Sequence, residues 1–161
     1  MVLTSITQHW RSAAVLAFVG IAMSLSSGCT SLRIQPPERF LVLGDSGSDM
    51  IRATTPDGGK LRIHKAKTPE NGTLDFWAEA VQHDLINSRG YEYISNEPIT
   101  TESGLEGTCQ TYHVHTDGRP HGYMIGVFAK PNSVLVAEFV APAAVFESNR
   151  EAVIKSLHTL R

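Results

Sequence analysis

Apolar and polar residues between positions 39 and 68 form three short runs that predict three β-strands. The runs cover 39–43, 49–55 and 60–68, and residues that favour turns separate them. Asp57, Gly58 and Gly59 stand between the second and third runs, and this combination is typical of a tight hairpin. The sequence therefore predicts consecutive strands that pair antiparallel.

The hydrophobic spacing then changes from two residues to three or four, which predicts a helix. Thr73 can cap the start of this helix, and Gly90 suits its end. The apolar positions that would face the core are Leu74, Trp77, Ala78, Val81 and Leu85.

Four further runs, followed by a second helix, complete the pattern. They predict strands over 91–99, with a kink at Pro98, and over 105–115, 121–130 and 134–140. The loop 116–120 has strong turn chemistry, so we expect a hairpin in which Thr116 pairs with His121. The run 134–140 is apolar on both sides apart from Glu138, which indicates a central strand. The last helix opens at Ala141 and Pro142, and its core-facing residues are Phe146, Val153, Ile154, Leu157 and Leu160.

This order of elements predicts an α+β fold with a mainly antiparallel sheet of about six to seven strands and two packed helices. Together with four stretches of sequence, it resembles the Mog1/PsbP-like α/β/α sandwich, including the DcrB-like envelope lipoproteins. Those stretches are 88–91, 122–128, 134–142 and 146–147. The resemblance covers about half of the chain. It implies a binding or accessory role without catalysis. The length of the chain favours a single domain, which we expect over 39–161.

The first 28 residues have the pattern of a bacterial secretion signal. Met1 to Gly28 contain one cationic side chain, Arg11, and no acidic residue, and residues 13–25 are nearly all apolar. The segment ends in Leu-Ser-Ser-Gly-Cys, which resembles a lipobox, so we expect lipidation at Cys29. The alternatives are a plain secretory signal and an uncleaved anchor.

The expected lipoprotein has three parts along the chain. Residues 1–28 are its signal peptide, residues 29–38 are the lipidated cysteine and a tether, and residues 39–161 are the domain. The resemblance implies a palmitoylated protein that faces the periplasm, and Thr30 after the cysteine implies the outer membrane. The expected partners are the membrane, through the lipid, and another envelope protein.

Composition and charge exclude several classes of protein. The 161 residues carry 14 Lys and Arg and 16 Asp and Glu, a net charge of −2, so the chain lacks the basic excess typical of nucleic-acid binding. With 42% hydrophobic and 19% charged residues, it is not a charged disordered chain. The sequence implies no cofactor.

Ser46 is a candidate catalytic residue. It lies in Gly44-Asp45-Ser46-Gly47 after a strand, and this arrangement is similar to the nucleophile block of GDSL-type hydrolases. Such a serine needs a histidine and a group that orients it. His158 is in a plausible place, but the residue three before it is Lys155, where that family has Asp. A simple turn between two strands explains the same residues.

Three histidines near the hairpin, His113, His115 and His121, are the candidate metal ligands. His113 and His115 share a strand face with Cys109, whereas the expected register puts His121 on the opposite face. Solvated strand histidines are therefore the preferred interpretation. Cys109 is expected to behave as a small buried apolar residue.

Two charged features are open to more than one interpretation. Basic residues concentrate in the second and third strands, where they could meet anionic lipid headgroups or protect a sheet edge. They are Arg52, Lys60, Arg62, Lys65 and Lys67. Glu138, within the most apolar strand, could pair with a basic side chain or mark a pocket.

Overall fold

The computed structural model describes residues 31–44, 49–68 and 72–161, and within them it contains seven strands and two α-helices. The strands are β1 (Leu41–Leu43), β2 (Met50–Thr54), β3 (Lys60–Lys67), β4 (Glu92–Thr100), β5 (Glu106–Thr116), β6 (Arg119–Lys130) and β7 (Ser133–Pro142). Helix α1 spans Leu74–His83 and continues into a π-helical turn, Asp84–Ser88, and helix α2 spans Ala143–Leu157.

All seven strands form one antiparallel sheet in the order β1-β2-β3-β7-β6-β5-β4. The predicted fold class is confirmed, and so is the central position of the strand that contains Glu138. Chain neighbours pair as hairpins in five places, and the exception is β3, which pairs with β7. That pairing joins the N-terminal meander to the C-terminal four strands in one sheet.

The sheet has a core on each face. On one face, which we call the α2 face, α2 packs on β6 and β7 through Phe146, Val153 and Leu157, all nearly fully buried. On the other, the α1 face, α1 packs on β5 and β6, over a cluster that includes Tyr112, Ile125 and Val127. The periodicity predicted both helices because each has one apolar side that faces the sheet.

In two places the strands differ from the sequence pattern because of the local backbone conformation. Arg39 has φ of 68° and lies in a turn, so β1 begins at Leu41 and is shorter than predicted. In β4 the pairing register shifts between Tyr93 and Ser95, and Pro98 keeps its place opposite Thr108. Pro98 is compatible with β4 because this strand lies at the edge of the sheet.

The β5–β6 hairpin is tighter than the sequence pattern predicted. Thr116 pairs with Arg119, and not with His121 as expected, so the loop is only Asp117 and Gly118. Both loop residues have positive φ, 51° and 72°, as a two-residue hairpin turn of this twist requires. The predicted register was wrong by two residues, and because strand faces alternate with a period of two, His121 stays on the predicted face.

The segment expected to be a tether packs on the domain from residue 31 onward. Leu32 is 6% exposed and belongs to the core on the α2 face. Arg33 and Arg161 exchange two backbone hydrogen bonds of 3.0 and 3.1 Å, and the amide of Gln35 donates to Thr159 Oγ1. The chain therefore enters the domain beside the C-terminal end of α2.

Candidate functional site

Part of the α1 face is left open by the helix above it. Helix α1 packs on β5 and β6, and Val134 of β7 is buried in the core beneath it. Among the described residues, the α1-side surface of β1, β2 and β3, with the less buried part of β7, therefore forms a shelf beside the helix. We call this shelf the open half-face. Leu41 is 67% exposed there and Leu43 is 45% exposed, and Val136 and Val140 are half-buried. The two exposed leucines lie at the outer border of this surface, and the polar side chains of β2 and β3 separate them from the valines of β7.

The strand register places side chains in rows across this face. One row, which we call the middle row, consists of residues that are paired from each strand to the neighbouring strand. In this row Arg52 of β2 lies directly opposite Arg62 of β3. Both arginines are exposed, and among the described residues Arg52 makes no ion pair. Like charges directly opposite each other destabilise a sheet. The middle row runs Leu43, Arg52, Arg62, Glu138, Ile125, Gln110 and Asn96.

Glu138 is the polar centre of the middle row. One of its carboxylate oxygens accepts a hydrogen bond of 3.0 Å from the Tyr123 hydroxyl, and the other lies 3.8 Å from a guanidinium nitrogen of Arg62. Burial and the negative charge of Glu138 raise the pKa of Tyr123. Glu138 thus pairs with a basic side chain, the first of the two interpretations that the sequence left open, but on a half-exposed surface.

His64 lies beside this group on β3, opposite Val136. Burial, followed by the positive charge of Arg62, lowers the pKa of His64, and the Glu138 carboxylate acts in the opposite direction. Its Nδ1 atom is buried without a hydrogen-bond partner in the described structure. Burial and the charge of Arg62 therefore disfavour protonation of this imidazole.

Helix α1 is fixed at the height of the middle row. The side-chain amide of Gln110 donates to the carbonyl oxygen of Ala78 at 2.9 Å, and the Tyr112 hydroxyl donates to Gln110 Oε1 at 2.6 Å. Gln110 and Tyr112 are both fully buried. On the side of α1 away from the sheet, Asp75, Phe76 and Glu79 are exposed, Phe76 to 57%.

The candidate catalytic and lipidation residues lie outside the described residues. These are Ser46, in the segment 45–48, and Cys29. Of the hydrolase residues, only His158 is described, at the C-terminal end of α2, and its Nδ1 lies 2.7 Å from the carbonyl oxygen of Thr100. One ring nitrogen of His158 is thus engaged by backbone.

The three candidate metal ligands are divided by the sheet. His113 and His115 are exposed on the α2 face of β5, paired with Gly122 and Pro120, whereas His121 lies opposite Val114 and faces the other side. Within the described residues, no group of three or more His, Cys, Asp or Glu side chains is arranged to hold a metal ion.

Cys109 is buried in the core on the α2 face, with 4% exposure. Burial, with a smaller effect from the charge of Glu97, raises the pKa of its thiol to about 12. A thiol in this state is a poor nucleophile and a poor metal ligand.

The cations of β2 and β3 form one group in the sequence, and the structure divides them between the two faces of the sheet. Arg52, Lys60 and Arg62 lie on the α1 face, whereas Lys65 pairs with Leu135 and faces the α2 side. Residue parity along each strand could have separated the two sets. That Arg52 lies opposite Arg62 could be recognised only from the register of the hairpin formed by β2 and β3. In the described part of the chain no helix is long and apolar enough to cross a membrane.

Comparisons with known proteins show similarity in structure but not in sequence. No family model and no curated protein sequence matches the chain. Among solved structures, the cyanobacterial PsbP protein CyanoP of Synechocystis sp. PCC 6803 has a TM-score of 0.56 at 10% identity, over 84% of this chain and 95% of its own.

Two further structures are similar to the same degree. LpqN of Mycobacterium tuberculosis, described as involved in cell envelope biogenesis, has a TM-score of 0.57 at 15% identity, over 79% of this chain and 82% of its own. A mutant form of the protein Mog1 has a TM-score of 0.57 at 12% identity, over 81% of this chain and 90% of its own. At such identities the likeness concerns the fold, and it establishes that this chain has the Mog1/PsbP-like α+β fold.

Proposed function

We propose that the chain is a lipid-anchored protein of the bacterial cell envelope that acts by binding another protein and not by catalysis. The observation that carries the binding role is the open half-face. It combines the exposed leucines Leu41 and Leu43 with Arg52, which has no ion-pair partner in the described residues. Apolar side chains bordered by arginine are characteristic of protein interfaces.

Several polar or reactive side chains of the described residues are engaged structurally. Gln110 and Tyr112 bind each other and α1, Glu138 binds Tyr123 and Arg62, and Cys109 is buried. A nucleophile activated by a neighbouring base would have a lowered pKa, whereas the pKa of Cys109 is raised. These arrangements support a binding module.

The envelope location rests on the sequence of residues 1–30. A short apolar run followed by small residues and Cys29 fits a lipoprotein signal, and two or three acyl chains give stable membrane attachment. The fold of LpqN, a protein described as involved in cell envelope biogenesis, is in keeping with this location. We propose further that the protein faces the periplasm from the outer membrane.

Labelling with radioactive palmitate tests the anchor directly. The full chain should take up label in a bacterial host, and Cys29→Ala should abolish it, while the matched variant Cys109→Ala should retain it. Label that persists in Cys29→Ala, or that is absent from the wild type, would contradict the lipid anchor. Separation of inner and outer membranes on a density gradient then tests the proposed outer-membrane location.

The catalytic alternative has its own test. A fluorophosphonate probe modifies activated serines, so the full chain should remain unlabelled. Labelling of the wild type that is lost in Ser46→Ala would contradict a purely binding role.

A further inference from the structure

The exposed side of α1 is complementary in character to the open half-face. It presents the carboxylates of Asp75 and Glu79 and the ring of Phe76. The open half-face presents the guanidinium groups of Arg52 and Arg62 with aliphatic side chains beside them. Acidic and apolar groups on one surface thus match basic and apolar groups on the other, and both surfaces belong to the same chain.

The shelf has the width of one helix. Neighbouring strands lie about 4.8 Å apart, so the four strands from β7 to β1 span about 14 Å. A helix with its side chains is about 10 Å across, and the ten residues of α1 extend about 15 Å. Helix α1 stands above the sheet by its own thickness, beside the open half-face. A flat bilayer would therefore touch α1 before it reached the open half-face. A second helix fits the space.

The heights of the charged groups also agree. The hydrogen bond from Gln110 to the carbonyl oxygen of Ala78 places that turn of α1 at the middle row, which contains Arg52 and Arg62. Glu79 directly follows Ala78. A two-fold axis parallel to the strands preserves height, so it would bring Glu79 of one copy to the level of the arginine pair of the other.

We propose that the occupant of the open half-face is a second copy of this chain. In the dimer the two α1 faces oppose each other about an axis parallel to the strands, and each α1 lies on the other copy's open half-face beside the resident α1. The two contacts are identical, as a two-fold interface requires. Glu79 then relieves the repulsion between the opposed arginines, and Phe76 packs among exposed aliphatic side chains.

The arrangement suits two lipid anchors. The chain enters the domain beside Arg161, and the backbone of Glu102, after β4, donates to the carbonyl oxygen of His158 near the end of α2. Because the axis is parallel to the strands, both copies present this end in the same direction. Both lipids would therefore reach one membrane, where confinement raises the effective concentration for pairing. This inference rests on the proposed function: it takes the same protein-binding surface and names a second copy of the chain as the protein that the surface binds.

A disulfide introduced across the interface tests the geometry. We would combine Arg52→Cys with Glu79→Cys in the full chain and express it in the oxidising periplasm. Within one copy these positions lie on β2 and on α1 above β5 and β6, about 14 Å apart or more, too far for a bond. A two-chain band that disappears on reduction is expected.

The matched control pair is Arg52→Cys with Glu147→Cys, because Glu147 is exposed on α2, across the sheet. This pair should give only background cross-linking. Equal two-chain bands from both pairs, or no band from the first pair, would overturn the proposal. Heavier products from Arg52→Cys with envelope proteins would assign the surface to a different partner and overturn it as well.

Charge reversal tests the same contact without cysteine. Equilibrium sedimentation of the full chain in detergent should give the mass of two copies. Arg52→Glu and Glu79→Lys should each lose the two-chain species, and the chain that carries both changes should regain it, because each contact then pairs the reversed charges. Circular dichroism checks that each variant is folded.

Other outcomes contradict the proposal in distinct ways. A single-copy mass for the wild type would leave the shelf to another segment of the chain or to another partner. A dimer that survives both single changes would use a different surface, such as the edge of β1. Palmitate labelling is independent of either result, so failure of the dimer is distinguishable from failure of the lipid anchor.

Discussion

The side-chain amide of Gln110 and the carbonyl oxygen of Ala78 are joined by a buried hydrogen bond of 2.9 Å between the sheet and α1. Gln110 is fully buried, and its other polar atom accepts from the Tyr112 hydroxyl. The side chain of Gln110 thus holds α1 against the sheet and also provides the hydrogen-bond acceptor for the buried Tyr112 hydroxyl. With the apolar packing of α1, this bond sets the level of Glu79, the residue after Ala78, relative to the row that contains Arg52 and Arg62.

Replacing Gln110 should therefore destabilise the protein through more than one group. In Gln110→Leu the Tyr112 hydroxyl loses its acceptor, and a buried polar group without a partner costs about 1–3 kcal/mol. Tyr112→Phe removes the donor and leaves Gln110 Oε1 unpaired. The double variant should cost less than the two single costs added together, since both partners are gone. Urea unfolding measures all three. Strict additivity would show that the two side chains are not coupled.

Gly122 should not tolerate a side chain. A Cβ atom at this position would lie 2.1 Å from the ring of Phe146, which packs α2 against the sheet. Gly122→Ala should lower the free energy of unfolding by about 1–3 kcal/mol through overpacking. Gly126→Ala, on the same face of β6, is the matched control because its closest contact is 3.2 Å. The prediction fails if thermal unfolding shows the two variants to be equally stable.

The lowered pKa of His64 predicts loss of stability in weak acid. Its ordinary pKa is 6.5, and burial and Arg62 depress the value in the folded state. Below pH 6.5 His64 therefore binds a proton in the unfolded chain but not in the folded chain. The free energy of unfolding should fall as the pH falls, until the pH reaches the pKa of His64 in the folded state.

Two histidine variants isolate this contribution. His64→Gln should flatten the pH dependence of the free energy of unfolding below pH 6.5, whereas His115→Gln, at an exposed position of the β5–β6 hairpin, should leave the slope in place. Denaturant titrations across the acidic range provide the measurement. An unchanged slope in His64→Gln would assign the acid dependence to other groups.

Cys109 should be unreactive in the folded protein. With a pKa raised to about 12, about one thiol in a thousand is ionised at pH 9, and the side chain is buried besides. In a chain that carries Cys29→Ala, alkylation by iodoacetamide at pH 9 should be slow until urea unfolds the protein, when it should reach the rate of a free thiol. Fast alkylation of the folded chain would contradict both the burial and the raised pKa.

The sequence by itself determined the strands and helices, since their patterns are local. Alternation in β2 and β3, the helical spacing around Trp77 and the apolar run of β7 gave the elements, their order and the fold class. The same pattern missed the start of β1 and the two-residue loop of the β5–β6 hairpin. Both depend on positive φ at single residues, Arg39 and Asp117, that non-glycine side chains seldom adopt.

Only the tertiary structure decided which side chains meet across the sheet. The pairing of β3 with β7 joins residues more than 60 positions apart, and it brings Arg62 to Glu138 and completes the row that Arg52 begins. The placement of α1 over β5 and β6 leaves the shelf beside it open. A single sequence carries no local signal for either, because non-local pairing is chosen by burial of the whole sheet and not by the strands taken one at a time.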